Sequence, residues 1–185
     1  MNILKQQTEF FQHIFEKRLT PTQVAQLAAL TLVGLAGFGV VMSLAVPNWE
    51  HTFNLMWKMI VLVIGSIALC LPALYVFSSI RGSKLTILQL LSLVLGSLAI
   101  VGIVLLALSP IAGFFTWTTT ELEFIQLMNV FMIGLGLLFG LIFLARGFLF
   151  SKNRGIDILV LWLMLVGIVL IQMSSKLGPW YTYTV

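Results

Sequence analysis

Five apolar stretches, each roughly as long as a membrane is thick, fill most of this chain, and no Asp, Glu, Lys, Arg or His falls at the centre of any of them. They run over about 24–46, 57–78, 87–109, 124–145 and 158–174. A helix rises 1.5 Å per residue, so about 20 apolar residues cross a hydrocarbon core of about 30 Å. The composition agrees: 60% of the 185 residues are hydrophobic and 9% are charged, whereas a soluble domain carries roughly 25% charged residues. The expected fold class is all-α, a polytopic membrane protein built as a five-helix bundle.

The ends of the stretches carry stop and start signals. Thr20-Pro21-Thr22-Gln23 reads as an N-cap, a proline at the first helical position and a glutamine three residues after the cap. Pro47, Pro110 and Gly178-Pro179 follow spans one, three and five, where helices should be leaving the lipid. Trp49, Trp57, Trp117, Trp180 and Tyr181 lie near span ends, as amphipathic rings at a water interface should, and only Trp162 falls inside a span. The segment Pro110–Glu123 reads as the longest loop, its threonines supplying helix caps for span four or a lip facing outward.

Charge sets an expected orientation. Lys5, Lys17, Arg18, Arg81, Lys84, Arg146, Lys152 and Arg154 fall on one side of a five-span arrangement, and only Lys58 and Lys176 on the other. Positive charge is retained on the cytoplasmic side, so the N-terminus is expected inside and the short tail 179–185 outside. The same charges account for the net +4 as attraction to anionic lipid rather than to nucleic acid. No removable signal peptide is read before span one, and a bacterial cytoplasmic (inner) membrane is the expected location.

Segment 1–19 is too polar to be a span. Ile3, Leu4, Phe10, Phe11, Ile14 and Phe15 gather on an arc of about 140°, with Lys5, Glu9, His13 and Glu16 opposite. This pattern predicts an amphipathic interfacial helix, which either orients span one or recruits a partner. Residues 20–178 then form one membrane domain.

Catalytic chemistry finds few footholds. Proton relays and charged-substrate pathways use ionisable groups at mid-depth; the two histidines, His13 and His51, lie outside the spans, which disfavours haem or pigment ligation. Cys70 is alone, so neither a disulfide nor a Cys-x-x-Cys site is available within one chain, and it reads as a small buried hydrophobe. The expectation is a protein without catalytic residues, cofactor or metal.

Packing signals are plentiful instead. Gly136 and Gly140 form a G-x-x-x-G, Gly34 and Gly37 lie mid-span, and Ala25/Ala29 and Ser92/Gly96 repeat the small-residue spacing that lets backbones approach. Asn129 and Gln172 are the polar residues best placed to hydrogen-bond across helices, within the chain or to a partner. Pro72, in LCLPALYVFSSIRGSK, removes the amide that would bond the Ala68 carbonyl and predicts a kink, with neighbouring spans or Ser66 available to satisfy the freed carbonyl.

Pro72-x-Leu74-Tyr75 in the second span, followed by Gly82 and Gln89, in a five-span chain with its N-terminus inside, resembles the Yip (Ypt-interacting protein) family and its bacterial relatives. The close of the last span, from Gln172 to Trp180, is similar to that of a group of bacterial five-span proteins. The resemblance implies a non-enzymatic bundle working through membrane contacts. The short N-terminal segment lacks the cytosolic extension with which eukaryotic members contact small GTPases. A scaffold or accessory subunit of a larger membrane complex, in contact with lipid and with other subunits or copies of itself, is the expected role; a permease-like component for an apolar or lipidic substrate is the alternative.

Overall fold

The computed structural model describes residues 20–44, 49–80, 86–119, 121–150 and 156–176. They are helical almost throughout: α1 (Pro21–Ser43), α2 (Trp49–Ile60), α3 (Ser66–Ile80), α4 (Ile87–Thr118), α5 (Leu122–Phe150) and α6 (Ile156–Lys176). A π turn, Val61–Gly65, joins α2 to α3 so that the two make one continuous rod. Four stretches are long and apolar enough to cross a membrane, Pro21–Ser43, Thr52–Ile80, Ile87–Thr118 and Glu123–Leu149, and a shorter apolar helix, Val160–Met173, forms the middle of α6. This is the architecture of a multi-pass helical membrane protein. The amphipathic segment with Phe10, Phe11, Ile14 and Phe15, and the tail 179–185, lie outside the described residues.

α4 is the central element. α1 and α5 pack on it, α2 packs on α1, and α3 pairs with α6. One continuous core results, running from Leu35, Phe38 and Met42 of α1 through Leu93, Val101 and Leu105 of α4 to Phe143, Leu144 and Phe148 of α5 and Trp162 of α6. Around it, Val33, Leu69, Phe131 and Ile171 project outward. Large apolar side chains on the outside suit a solvent of lipid, which makes no demand for a polar surface.

Helix starts follow the sequence closely. At α1 the Thr20 amide donates to Gln23 Oε1 at 3.0 Å, and at α4 the Thr86 amide donates to Gln89 Oε1 at 3.0 Å while the Gln89 amide donates to Thr86 Oγ1 at 3.3 Å. Gln89, counted above among the residues of a family resemblance, is therefore part of a local cap, which satisfies donors that the first turn leaves unmatched.

Two expected boundaries move. Span three does not stop at Pro110: α4 runs through it to Thr118, 32 residues in all and about 48 Å at 1.5 Å per residue. Pro110 sits on the exposed side of the helix, and buried Ala112 and Thr116 hold the following turns against the bundle. Most of the expected loop is therefore helix. Thr116 and Thr118 donate to the Ala112 and Phe114 carbonyls of their own helix at 2.8 and 2.9 Å. Thr119 ends α4, its amide reaching Phe115 O at 2.9 Å, rather than opening α5.

The second rod likewise starts earlier, at Trp49 rather than Trp57. Trp49, Phe53 and Trp57, four residues apart, share an exposed face, while Leu55 and Met59 are buried. Glu50, His51, Thr52, Asn54 and Lys58 make this the more polar end of the rod, and its exposed aromatic face is of the kind found at a membrane–water interface.

The π turn answers to the spacing of buried residues. Leu62, Ser66, Cys70, Leu74 and Ser78 recur every fourth position, which drifts around an α-helix of 3.6 residues per turn by about 40° each time. In an unbroken α-helix Leu74 would be turned about 100° from Leu55, and one extra residue taken up in a π turn brings the two back into line.

Candidate functional site

Four of the residues that sequence reasoning singled out, Gly34, Gly37, Gly136 and Gly140, lie in close approaches between helices. Gly34 of α1 faces Gly102 of α4 so closely that a Cβ on Gly34 would overlap the Gly102 carbonyl. The approach is mutual: a Cβ on Gly102 would come within 2.8 Å of Leu30 O. Gly37 meets the Leu106 side chain on the same seam, and Gly39 abuts the α2 backbone, with Met56 Cα 3.0 Å from a Cβ built there. The mid-span glycines thus press α1 between α2 and α4.

On another face of α4, Gly140 of α5 leaves room for Val101 and Ser97. The Ser97 hydroxyl donates to Gly140 O at 2.9 Å, a buried bond between helices, and Gly136, one turn earlier, lies under Leu105. Gly102 and Ser97, the partners of Gly34 and Gly140, lay outside the small-residue patterns read from the sequence. Pairing across helices was the missing information, since a G-x-x-x-G names one face and not the face it meets.

Asn129 is fully buried in α5, whereas Gln172 is exposed near the end of α6. One-turn hydroxyl bonds are the rule elsewhere: Thr31 to Leu27 O at 2.9 Å, Ser92 to Leu88 O at 2.8 Å and Ser109 to Leu105 O at 3.0 Å. A hydroxyl bonded within its own helix is already satisfied in lipid and is not offered to a ligand.

Pro72 lies inside α3, which continues to Ile80, and the departure from α-helical winding falls upstream at Val61–Gly65. Ser66 does not serve the carbonyl freed by Pro72. Its hydroxyl donates to Leu62 O at 2.5 Å, beneath the π turn, and touches Met173 Sδ of α6 at 3.3 Å. Farther along α3, the Trp162 indole N–H donates to Cys70 O at 2.8 Å. That bond explains a tryptophan away from an interface. Its ring is buried and its single donor is matched by a main-chain carbonyl.

Cys70 is buried in the core. Among the described residues no group of three or more His, Cys, Asp and Glu side chains comes together as metal ligands would. His13 lies outside the described residues, and His51 is on α2. At the start of that helix Trp49, Glu50, Phe53 and Asn54 line a shallow open depression.

No family model matches the chain, and no curated protein and no solved structure matches it.

Two glycines remain outside the internal seams. Nothing lies within 4 Å of a Cβ built on Gly134 of α5 or on Gly167 of α6.

Proposed function

We propose that the protein is a non-catalytic membrane subunit that scaffolds or stabilises a larger membrane assembly. The observation that carries this reading is the contrast among its glycines: Gly34, Gly102, Gly136 and Gly140 are closed by neighbouring helices, while Gly134 and Gly167 leave small outward openings on α5 and α6. Small residues let a second helix approach closely, and lipid chains gain little from such a gap. The partner is another membrane helix, from a different subunit or a second copy of this chain. In this reading α6 is a fifth span, the N-terminus is cytoplasmic, the C-terminus is outside, and the membrane is the bacterial inner membrane. The likeness of Pro72, Leu74, Tyr75, Gly82 and Gln89 to the Yip family points the same way.

Purification in a mild detergent tests the proposal. A membrane protein should co-purify, or the chain should run as an oligomer, and Gly134→Leu with Gly167→Leu should release the partner while the chain stays folded. A stable monomer without a companion would count against it.

The second reading, a permease-like component for an apolar or lipidic substrate, is favoured by one observation, the π turn and Pro72 within a single spanning rod. Its measurement is flux in proteoliposomes, with Pro72→Ala as a comparison; no flux of any lipid or solute would dispose of it.

A further inference from the structure

The rod formed by α2, the π turn and α3 changes partner halfway along. Its α2 part is buried against α1, with Leu55 and Met59 inside and the Met56 backbone beside Gly39. The α3 part is held to α6, through the bond from the Trp162 indole to Cys70 O and the contact of Ser66 with Met173. α3 touches α4, and α6 touches α5, far less than α3 and α6 touch each other. The partner changes at Val61–Gly65, the one described stretch of helix that is not α-helical.

We infer that this π turn is a hinge on which α3 and α6 tilt as a pair against α1, α4 and α5. Three features of the joint suit it to bending. A π turn interrupts the regular α-helical ladder, one of the few local causes of a sharp bend. The Leu62 carbonyl beneath it has two donors, the Ser66 amide and the Ser66 hydroxyl, so one can open while the other holds. The side chain filling the space beside the joint is Met173, whose Cε would sit 3.2 Å from a Cβ on Gly65. An unbranched thioether re-packs readily as the shape around it changes. Away from the joint the pair is pinned by a buried tryptophan, so α6 follows α3. The tilt is separate from the subunit and permease readings and stands or falls by its own measurement.

The experiment measures distances between spin labels in a Cys70→Ala background, with the full chain in lipid nanodiscs. Replacing Cys70 leaves the carbonyl that Trp162 uses. Val33 on α1, Val76 on α3 and Ile168 on α6 are exposed and take the labels. The Val33–Val76 pair crosses the joint and should give a distribution at least twice as wide as the Val76–Ile168 pair, which lies within the moving unit. Equal widths would overturn the hinge, and this comparison needs no change at the joint itself.

Deleting Ile64 removes the extra residue and keeps Leu74 in line with Leu55, so the rod becomes α-helical throughout. The distribution across the joint should then narrow to that of the pair. Met173→Ile, with a branched and stiffer side chain in the gap, should narrow it as well at unchanged chain length. A distribution that stays as wide in both variants would place the motion elsewhere and reject the assignment.

Discussion

Gly34 and Gly102 meet backbone to backbone: a side chain on Gly34 would need the space of the Gly102 carbonyl, and one on Gly102 would need that of the Leu30 and Thr31 backbone, one turn before Gly34. They lie on helices separated in the chain by the whole second rod, and they join α1 to the central α4. Gly34→Ala should therefore destabilise the bundle by about 1–3 kcal/mol, the usual cost of overpacking a tight contact. Gly167→Ala, where the space is open, should change stability by no more than about 0.5 kcal/mol. Unfolding by graded SDS in mixed micelles separates the two, and equal effects would refute the seam.

The contact between α4 and α5 has a steric part and a polar part. Gly140→Ala would put a methyl 2.5 Å from Val101 Cγ2 and 3.1 Å from Ser97 O, so both the close approach and the Ser97 bond should suffer. Ser97→Ala removes only the hydrogen bond, at about 0.6 kcal/mol for an average bond of this kind in a membrane. The glycine variant should be the more damaging in the same titration.

Trp162→Phe keeps an aromatic ring in the core and loses the indole donor to Cys70 O. The expected loss is about 1 kcal/mol, within the usual range for one hydrogen bond. Cys70→Ser should not reproduce it, because the acceptor belongs to the main chain. A matching loss in Cys70→Ser would mean that the side chain, not the carbonyl, is what α6 recognises.

Pro72 is exposed on α3, and its replacement restores a backbone amide to the helix. Pro72→Ala should leave the fold intact and raise stability by about 0.5–1.5 kcal/mol, the net worth of the bond regained. A loss of stability would show that the ring itself is required where it sits.

The spans were legible because lipid imposes a simple rule, a long apolar run, and four of the five expected runs coincide with long apolar helices. Boundaries were less legible. Pro110 reads as a stop, yet the turns beyond it are anchored by Ala112 and Thr116, and such tertiary anchoring leaves no local mark. Residues 49–56 read as loop because Glu50, His51, Thr52 and Asn54 interrupt the apolar pattern there. The Thr20/Gln23 cap was visible because it is local, and the pairing of Gly34 with Gly102 was not, because it is long-range. The π turn was not legible, because the offset between Leu55 and Leu74 that it corrects has meaning only once both are known to be buried.

The one-turn hydroxyl bonds bear on how the chain is made. α1 enters the bilayer well before Gly102 has been synthesised, so it must wait in lipid without its main partner. Thr31 can wait at little cost because its hydroxyl is already closed on Leu27 O. Ser66, Ser109 and Thr116 arrive in the same self-sufficient state. Ser97 is different, since its acceptor is Gly140 in the following helix. Among the described hydroxyls, Ser97 thus marks a moment of dependence, the arrival of α5: a nascent chain halted before Gly140 lacks the acceptor that Ser97 uses in the finished bundle.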